Sequence, residues 1–392
     1  MNEAVICGIG MTQFGKFLHK GLKQLALEAV SEAIADAGIS KSDIQAAYVG
    51  NSVAGLVTGQ ETIRGQVVLR AAGIGGIPIF NVENACASSS TALHLGALAV
   101  QSGIYDCVLA VGVEKMTHPD RSVTFKAFEG GVDVEEMQDV LRNSKGTHSV
   151  FMDLYAQKTK KYMEQFGITK KQLAMVASKN HTNGSLNPLA QRTNPLTVED
   201  VLNDRLVTEP FTRYMCSPVS DGAAAVVLCS KEYAKKLTSK PVFIAASAVL
   251  SASADPKDEG NVIRRTAENA YKMAGFGSEE ISVFEVHDAT ASAELMAYEE
   301  LGLCRQGEGG KLIEERMTYI GGKMPVNTSG GLEAKGHPVG ATGLGQIYEL
   351  VLQLRGDAGP RQVDNPKAAL AQNAGGMIGE ENATASITIL KI

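Results

Sequence analysis

Short apolar runs and longer amphipathic ones alternate along the chain. AVICGIG, AAYVGNSV, IPIFNV and CVLAVGVE are rich in β-branched and small residues, while LKQLALEAVSEAIADAG spaces its apolar residues three and four apart. The first kind predicts strands and the second an amphipathic helix, so residues 1–117 predict a layered α/β unit. After residue 117 the texture changes. Residues 118–216 carry more charge, methionine and aromatic side chains (HPDRSVTFKAFEG, VFMDLYAQKTKKYMEQFG, KNHTNGSLNPLAQ) and predict an inserted helical and loop-rich domain. VSDGAAAVVLCS returns as a buried strand that completes the first unit within 217–238. A second α/β unit is predicted over 239–392, from PVFIAASAVLSA and ISVFEVHDAT through a helix near 341–354 to the closing strand ATASITIL.

The two units echo each other. SKSDIQAAYVGNSVAG (40–55) aligns without a gap against GSEEISVFEVHDATAS (277–292): an acidic helix end, an isoleucine, an apolar strand, then a polar tip. The match predicts duplicated halves about a pseudo-two-fold axis, although two ordinary αβ units would read the same way. Open α/β sheets place active-site groups at strand C-terminal ends. Asn51, Cys86 and His287 are therefore expected to face one region.

Cys86 lies in NVENACASSS (81–90), between the strand-like IPIFNV and the helix-like TALHLGALAVQSG, which stops at Gly103. At such a corner the free N–H groups and the positive end of the helix dipole favour a thiolate. Taken alone, Cys86 reads equally as a small buried core residue.

Composition narrows the function classes. With 392 residues, 44% hydrophobic and 20% charged, the chain suffices for two ordinary domains. No leader pattern or membrane-length apolar run is present, so a soluble, cytoplasmic protein is expected. Six cysteines without paired spacing argue against a disulfide scaffold or structural zinc, and a net charge of −6 gives no general attraction to nucleic acid or acidic membranes. GIGMTQFG lacks the third glycine of a dinucleotide fingerprint, no P-loop occurs, and the seven histidines show no metal-ligand spacing. No metal and no nucleotide redox cofactor is expected.

Two histidines have chemical contexts. His287 in FEVHDATASAELM ends an apolar strand, and His337 in NTSGGLEAKGHPVGATGLG sits among Gly330, Gly331, Gly336, Gly340 and Gly343, which permit a tight backbone path. A cysteine with a histidine base generates a thiolate, and a second histidine can donate to an oxyanion. Taken alone, each reads as an ordinary core or capping histidine.

NACASSSTALHLGALAVQSGIYDCVLAVGVEKMT resembles the nucleophile segment of thiolases. EVHDATASAELMAYEELGLC resembles the HDxF region of the sterol-carrier-protein type, and VNTSGGLEAKGHPVGATGLGQ the thiolase GHPxGATG loop. KNHTNGSLNPLAQ and SPVSDGAAAVVL fit the same subgroup, so the resemblance spans essentially the whole chain.

The resemblance implies a thiolase fold: two pseudo-symmetric αβα halves forming a five-layer αβαβα core, with an inserted loop domain, as a homodimer or dimer of dimers. It implies an acyl-CoA C-acyltransferase in which Cys86 is acylated, His337 takes its proton, and His287 completes an oxyanion hole. A second hole would use the N–H of Cys86 and one from the Ala374–Gly375 turn. Ser217, Phe151, Met152 and Tyr155 would border the pantetheine or acyl chain. Lys158, Lys160, Lys161, Lys179, Arg192 and Arg213 are candidates for the coenzyme A phosphates. One departure stands out: Gln372 in QNAGG and Ala289 in HDAT occupy the positions of the family's second, proton-shuttling cysteine. Neither residue shuttles a proton at neutral pH. Either histidine then does so, or the chemistry differs: a thiolase-like acyltransferase, a retro-aldolase or a decarboxylating ketosynthase, with an OB-fold, zinc-ribbon partner chain in some such enzymes. A non-catalytic acyl-CoA-binding subunit is the remaining alternative.

Overall fold

In the computed structural model, which describes residues 2–135, 138, 149–237, 240–255 and 261–392, the apolar runs become strands of one mixed sheet. They are β1 (Ala4–Met11), β2 (Ala46–Gly50), β3 (Ile79–Val82), β4 (Cys107–Glu114), β7 (Gly222–Ser230), β8 (Val242–Ser251), β9 (Val283–Glu285), β10 (Ala368–Ile378) and β11 (Glu381–Lys391). The short β5 (Leu206–Thr208) and β6 (Phe211–Thr212) form a separate ribbon. The sheet order is β3-β2-β4-β7-β1-β8-β11-β10-β9.

That order contains the duplication. On one side β1, β7 and β4 are antiparallel neighbours, followed by β2 parallel to β4; on the other, β8, β11 and β10 are antiparallel neighbours, followed by β9 parallel to β10. The half-sheets meet through Val5↔Phe243 and Ile6↔Val242. The aligned segments are equivalent: short 3₁₀ turns at Lys41–Asp43 and Ser278–Glu280 lead into β2 and β9.

Helices fill the layers between and outside the half-sheets. α1 (Leu22–Ala37) buries Leu22, Leu25, Ala26, Ala29, Val30 and Ala33 on one stripe and ends at Gly38, whose φ of 67° closes the helix. With α3 (Arg64–Ala71) it covers the outer face of the first half-sheet. α4 (Ser88–Gln101), which begins just after Cys86, shares the central layer with the later helix Thr342–Arg355; Leu93 and Val100 meet Leu344, Ile347 and Leu350 between strands of both halves. Strands buried on both faces read as unbroken apolar runs, which is why CVLAVGVE and AAAVVLCS show no alternation. Five layers and the thiolase fold result.

Within 118–216 the described residues are largely helical: α5 (Arg121–Glu129), α6 (Val150–Phe166) and α7 (Lys170–Ser185). Ser149 caps α6, and Thr169 with Gln172 forms a capping box on α7. Ala156, Tyr162, Leu173 and Val176 pack with Leu295, Tyr298 and Ile387, so this segment leaves the first half and seals the second. The expected boundary at 238/239 and residues 136–137 and 139–148 lie outside the described residues. Among the described residues no helix is long and apolar enough to cross a membrane.

Candidate active site

Three segments converge at the C-terminal ends of the strands. Cys86 occupies a 3₁₀ turn (Ala85–Ala87) before α4, His287 follows β9, and His337 precedes the helix α10 (Thr342–Arg355). Ala85 holds a φ of 48°, an uncommon conformation for alanine, immediately before the thiol. The ligand atoms of Cys86, His287 and His337 lie within 4.8 Å of one another, and the two imidazole centroids are 5.0 Å apart. All three line one cavity of about 270 Å³.

Hydrogen bonds assign the imidazoles opposite roles. The Ala374 N–H donates to His287 Nδ1 at 3.0 Å, so Nδ1 carries a lone pair and the proton sits on Nε2, a buried atom with no protein partner. His337 is reversed. Its Nδ1 lies 2.7 Å from Thr342 Oγ1, and that hydroxyl spends its proton on the Pro338 carbonyl at 3.0 Å. Nδ1 of His337 must therefore be the donor, leaving an Nε2 lone pair free. One imidazole offers a proton and the other can take one.

Burial keeps the resting site uncharged. The Cys86 thiol is pushed from 9.0 up to about 12, chiefly by burial and then by the Glu114 and Glu83 carboxylates, against the opposing N–H of Gly376. The thiolate favoured by a helix N-terminus is thus not the resting form. A helix end contributes about 0.3–1 kcal/mol, less than one pKa unit at about 1.4 kcal/mol each. Burial brings His287 down to about 4, and burial together with His287 holds His337 well below 6.5. Alkylation of Cys86 by iodoacetamide is therefore expected to be slow at neutrality and to accelerate throughout the alkaline range. A plateau below about pH 8 would instead show the low-pKa thiolate of a thiol–imidazolium pair.

Close packing fixes the thiol's setting. A Cβ at Gly375 would stand 2.1 Å from the Asn84 carbonyl, so the 374–376 turn presses directly on the nucleophile loop. This turn modifies the expected second oxyanion hole. Ala374's N–H is engaged by His287 and Gly375 does not line the cavity, whereas Gly376 lines it and directs its N–H to the Cys86 sulfur. Gln372 orients rather than titrates: its Oε1 accepts the His287 N–H at 2.8 Å. Ala289 also lines the cavity and carries no titratable group.

Sequence reasoning passed over Glu114. At the end of β4, wholly buried, it accepts the N–H groups of Ser52, Val53, Ala54 and Gly340 and the Asn51 side-chain amide, tying the β2 tip to the loop that carries His337. Asn51 accordingly sits behind the site and not, as expected, in the cavity with Cys86 and His287. Burial raises Glu114 to about 7 against those backbone N–H bonds. A Glu114→Gln protein is expected to lose about 1–3 kcal/mol of stability, because an amide turns a donor toward N–H groups. It should nevertheless alkylate at Cys86 faster than wild type near pH 9, the opposing charge being gone. A denaturant midpoint and an alkylation rate check both halves.

The cavity's other walls are sorted by charge. Ser217, Met152, Tyr155 and Phe151 line it. Its cations are Lys16, Arg121, Arg192, Arg205 and Arg213, with no aspartate or glutamate among the described lining residues. Arg213 is held by Asp204 and stacks on Tyr214 at 4.5 Å. Lys179 is a correction: wholly buried, it pairs with Glu294 at 2.6 Å and cannot meet a ligand. Lys161 pairs with exposed Glu380, Lys158 lines a small neighbouring pocket, and Lys160 is not among the cavity's lining residues. Lys16, Arg121 and Arg205 were not among the sequence candidates: Lys16 lies outside the insert, and nothing in the sequence sets Arg121 and Arg205 apart from the insert's other basic residues. A second thiol, Cys216, lines the cavity near Ala289, with its S–H on the Thr212 carbonyl.

Cys86, His287 and His337 could be mistaken for a metal centre. For His287 Nε2 to bind an ion its proton would have to move to Nδ1, breaking the bond from Ala374. The donor set fits a developing oxyanion better.

Comparison with known proteins agrees over the whole chain. The thiolase N-terminal domain family matches residues 4–232, and the thiolase C-terminal domain-like family matches residues 246–391. The acetyl-CoA acetyltransferase of Methanothermobacter thermautotrophicus is 41% identical over 97% of this chain and 98% of its own length. Sterol carrier protein 2 of Oryctolagus cuniculus is 37% identical over 94% of this chain and 69% of its own length. Benzoylsuccinyl-CoA thiolase subunit BbsB of Thauera aromatica is 36% identical over 95% of each chain. A solved Ltp2-ChsH2(DUF35) aldolase chain superposes with a TM-score of 0.82 at 26% identity, covering 98% of this chain and 97% of that one.

Proposed function

The chain belongs to the thiolase family, and we propose that it is an acyl-CoA C-acyltransferase that forms or thiolytically cleaves a 3-oxoacyl-CoA through an acyl-Cys86 intermediate. The observation that carries this reading is the opposed pair of imidazoles, a base at His337 Nε2 and a donor at His287 Nε2, both beside one thiol.

In the synthetic direction His337 Nε2 takes the Cys86 proton as Sγ attacks the thioester carbon of an acyl-CoA. The carbonyl oxygen becomes an oxyanion, the N–H groups of Cys86 and Gly376 face it, and coenzyme A leaves as a thiol with that proton. His337 then removes the α-proton of a second acyl-CoA, whose enolate oxygen is met by the His287 Nε2–H. The α-carbon attacks the acyl-Cys86 carbonyl, a C–C bond forms, and the C–S bond breaks to return the thiol. Each hole donor is worth about 2.7–4 kcal/mol. Of the five lining cations, Arg192 is turned onto the Cys216 and Glu333 carbonyls and Arg213 onto Asp204, while Lys16, Arg121 and Arg205 suit the phosphates of coenzyme A.

Incubation with a 3-oxoacyl-CoA and free coenzyme A is expected to yield two acyl-CoA products. Turnover only with malonyl-CoA and release of carbon dioxide would move the assignment to a decarboxylating ketosynthase.

A second reading is favoured by Gln372 and Ala289, which leave one base among the described lining residues where thiolysis ordinarily uses two groups. Aldol cleavage of a 3-hydroxyacyl-CoA needs one base and one oxyanion donor, and the solved relative is an aldolase with a DUF35 partner. Carbonyl release without consumption of coenzyme A, dependent on an OB-fold, zinc-ribbon partner, separates the two. We further propose a homo-oligomer, because β3 ends the sheet as an unpaired edge with Phe80 46% exposed, and a cytoplasmic location, where a free thiol such as Cys86 stays reduced.

A further inference from the structure

Cys86 opens on a second cavity of about 200 Å³, on the far side of a wall formed by Phe128, Phe151 and Val339, all of which face both cavities. We infer that this second cavity holds the acyl group carried by Cys86, and that the protein takes uncharged, apolar acyl groups larger than acetyl. The inference rests on the acyl-Cys86 reading and extends it to substrate class.

Charge divides the cavities. Among the described lining residues the first has five cations and no carboxylate, and the second has Glu61 and Glu83 and no lysine or arginine. Coenzyme A, carrying several phosphate charges, is drawn to the first and repelled from the second. A thioester seated at Cys86 with its coenzyme in the first cavity therefore has its acyl carbons on the side of the second. Val53, Leu56 and Ala127 give that space apolar walls. An acetyl group fills little of about 200 Å³ and leaves the rest to water, whereas a longer alkyl or aryl group displaces that water from apolar surface. An acyl group ending in a carboxylate meets Glu61 and Glu83, while the nearby Arg64 guanidinium is turned onto the Glu61 carbonyl and is not among the cavity's described lining residues. Glu83 is fixed, since its Oε1 accepts the Ala85 N–H at 2.6 Å; Glu61 lies exposed at the rim.

The test is a panel of acetyl-, hexanoyl-, phenylacetyl- and glutaryl-CoA, reading kcat/KM for acylation of Cys86 as coenzyme A released. Hexanoyl and phenylacetyl groups are expected to exceed acetyl tenfold or more, and glutaryl to fall tenfold or more below hexanoyl. Val53→Trp should lower the hexanoyl-to-acetyl ratio, and Glu61→Lys should raise the glutaryl-to-hexanoyl ratio. Acetyl as the fastest substrate, or an unchanged ratio in Glu61→Lys, would overturn the inference while leaving the acyl-enzyme intact. If Val53→Trp does not fold, the substitution at exposed Glu61 and the wild-type panel still decide. Absence of any acyl adduct across the panel would remove the acyl-enzyme reading and this assignment together.

Discussion

A Cys86→Ala protein is expected to turn over about 10⁶-fold more slowly than wild type while binding coenzyme A with little change. Loss of a covalent nucleophile has an effect of that order in enzymes whose catalytic groups act as a unit. Among the described lining residues the other thiol, Cys216, is no substitute: it is 5% exposed, donates to the Thr212 carbonyl and has its pKa raised strongly by burial. Binding survives because the lining cations Lys16, Arg121 and Arg205 come from segments other than the one that carries Cys86. Steady-state kinetics with calorimetric titration of coenzyme A checks both halves. Parallel loss of turnover and affinity would reduce Cys86 to a packing residue.

His337→Ala should lower kcat by about 10²–10⁴-fold, the usual range for removing a positioned base. Both half-reactions draw on its Nε2, so acylation and C–C bond formation should fall together. Thr342→Val would remove the hydroxyl that fixes the tautomer, and a smaller loss is expected. The pH dependence has a definite sign. His287 and His337 are held below 6.5 in the folded protein, so the unfolded chain binds their protons more readily. Their contribution to stability is complete above pH 6.5; that of His287 is lost as pH falls through about 4, and that of His337 is lost on the acid side of 6.5. A melting-temperature series over that range measures it, and the kcat profile should show no imidazole step between pH 6 and 8.

Much of this was legible in the residues. Apolar runs located the strands, and the gapless match of 40–55 with 277–292 anticipated the equivalence of β2 and β9. Strand ends led to the expectation that Asn51, Cys86 and His287 face one region, of which Asn51 does not line the cavity; that His337 joins Cys86 was implied by the resemblance to thiolases. What could not be read was which atom of each imidazole holds the proton, because that depends on Ala374 and on the Thr342–Pro338 bond, contacts made only on folding. The thiolate expectation failed for a related reason: a helix start is visible in sequence, but the burial and the Glu114 charge that outweigh it are not. Lys179 misled because a basic residue in an insert reads as surface, whereas here it neutralises Glu294 in the interior.

The most direct measurement is the mass of the Cys86 peptide after brief exposure of the protein to a 3-oxoacyl-CoA with limiting coenzyme A, followed by acid quenching. A mass increase equal to the acyl group on that peptide, absent in Cys86→Ala, is the predicted result. An unmodified Cys86 peptide while substrate is consumed would contradict the acyl-enzyme account.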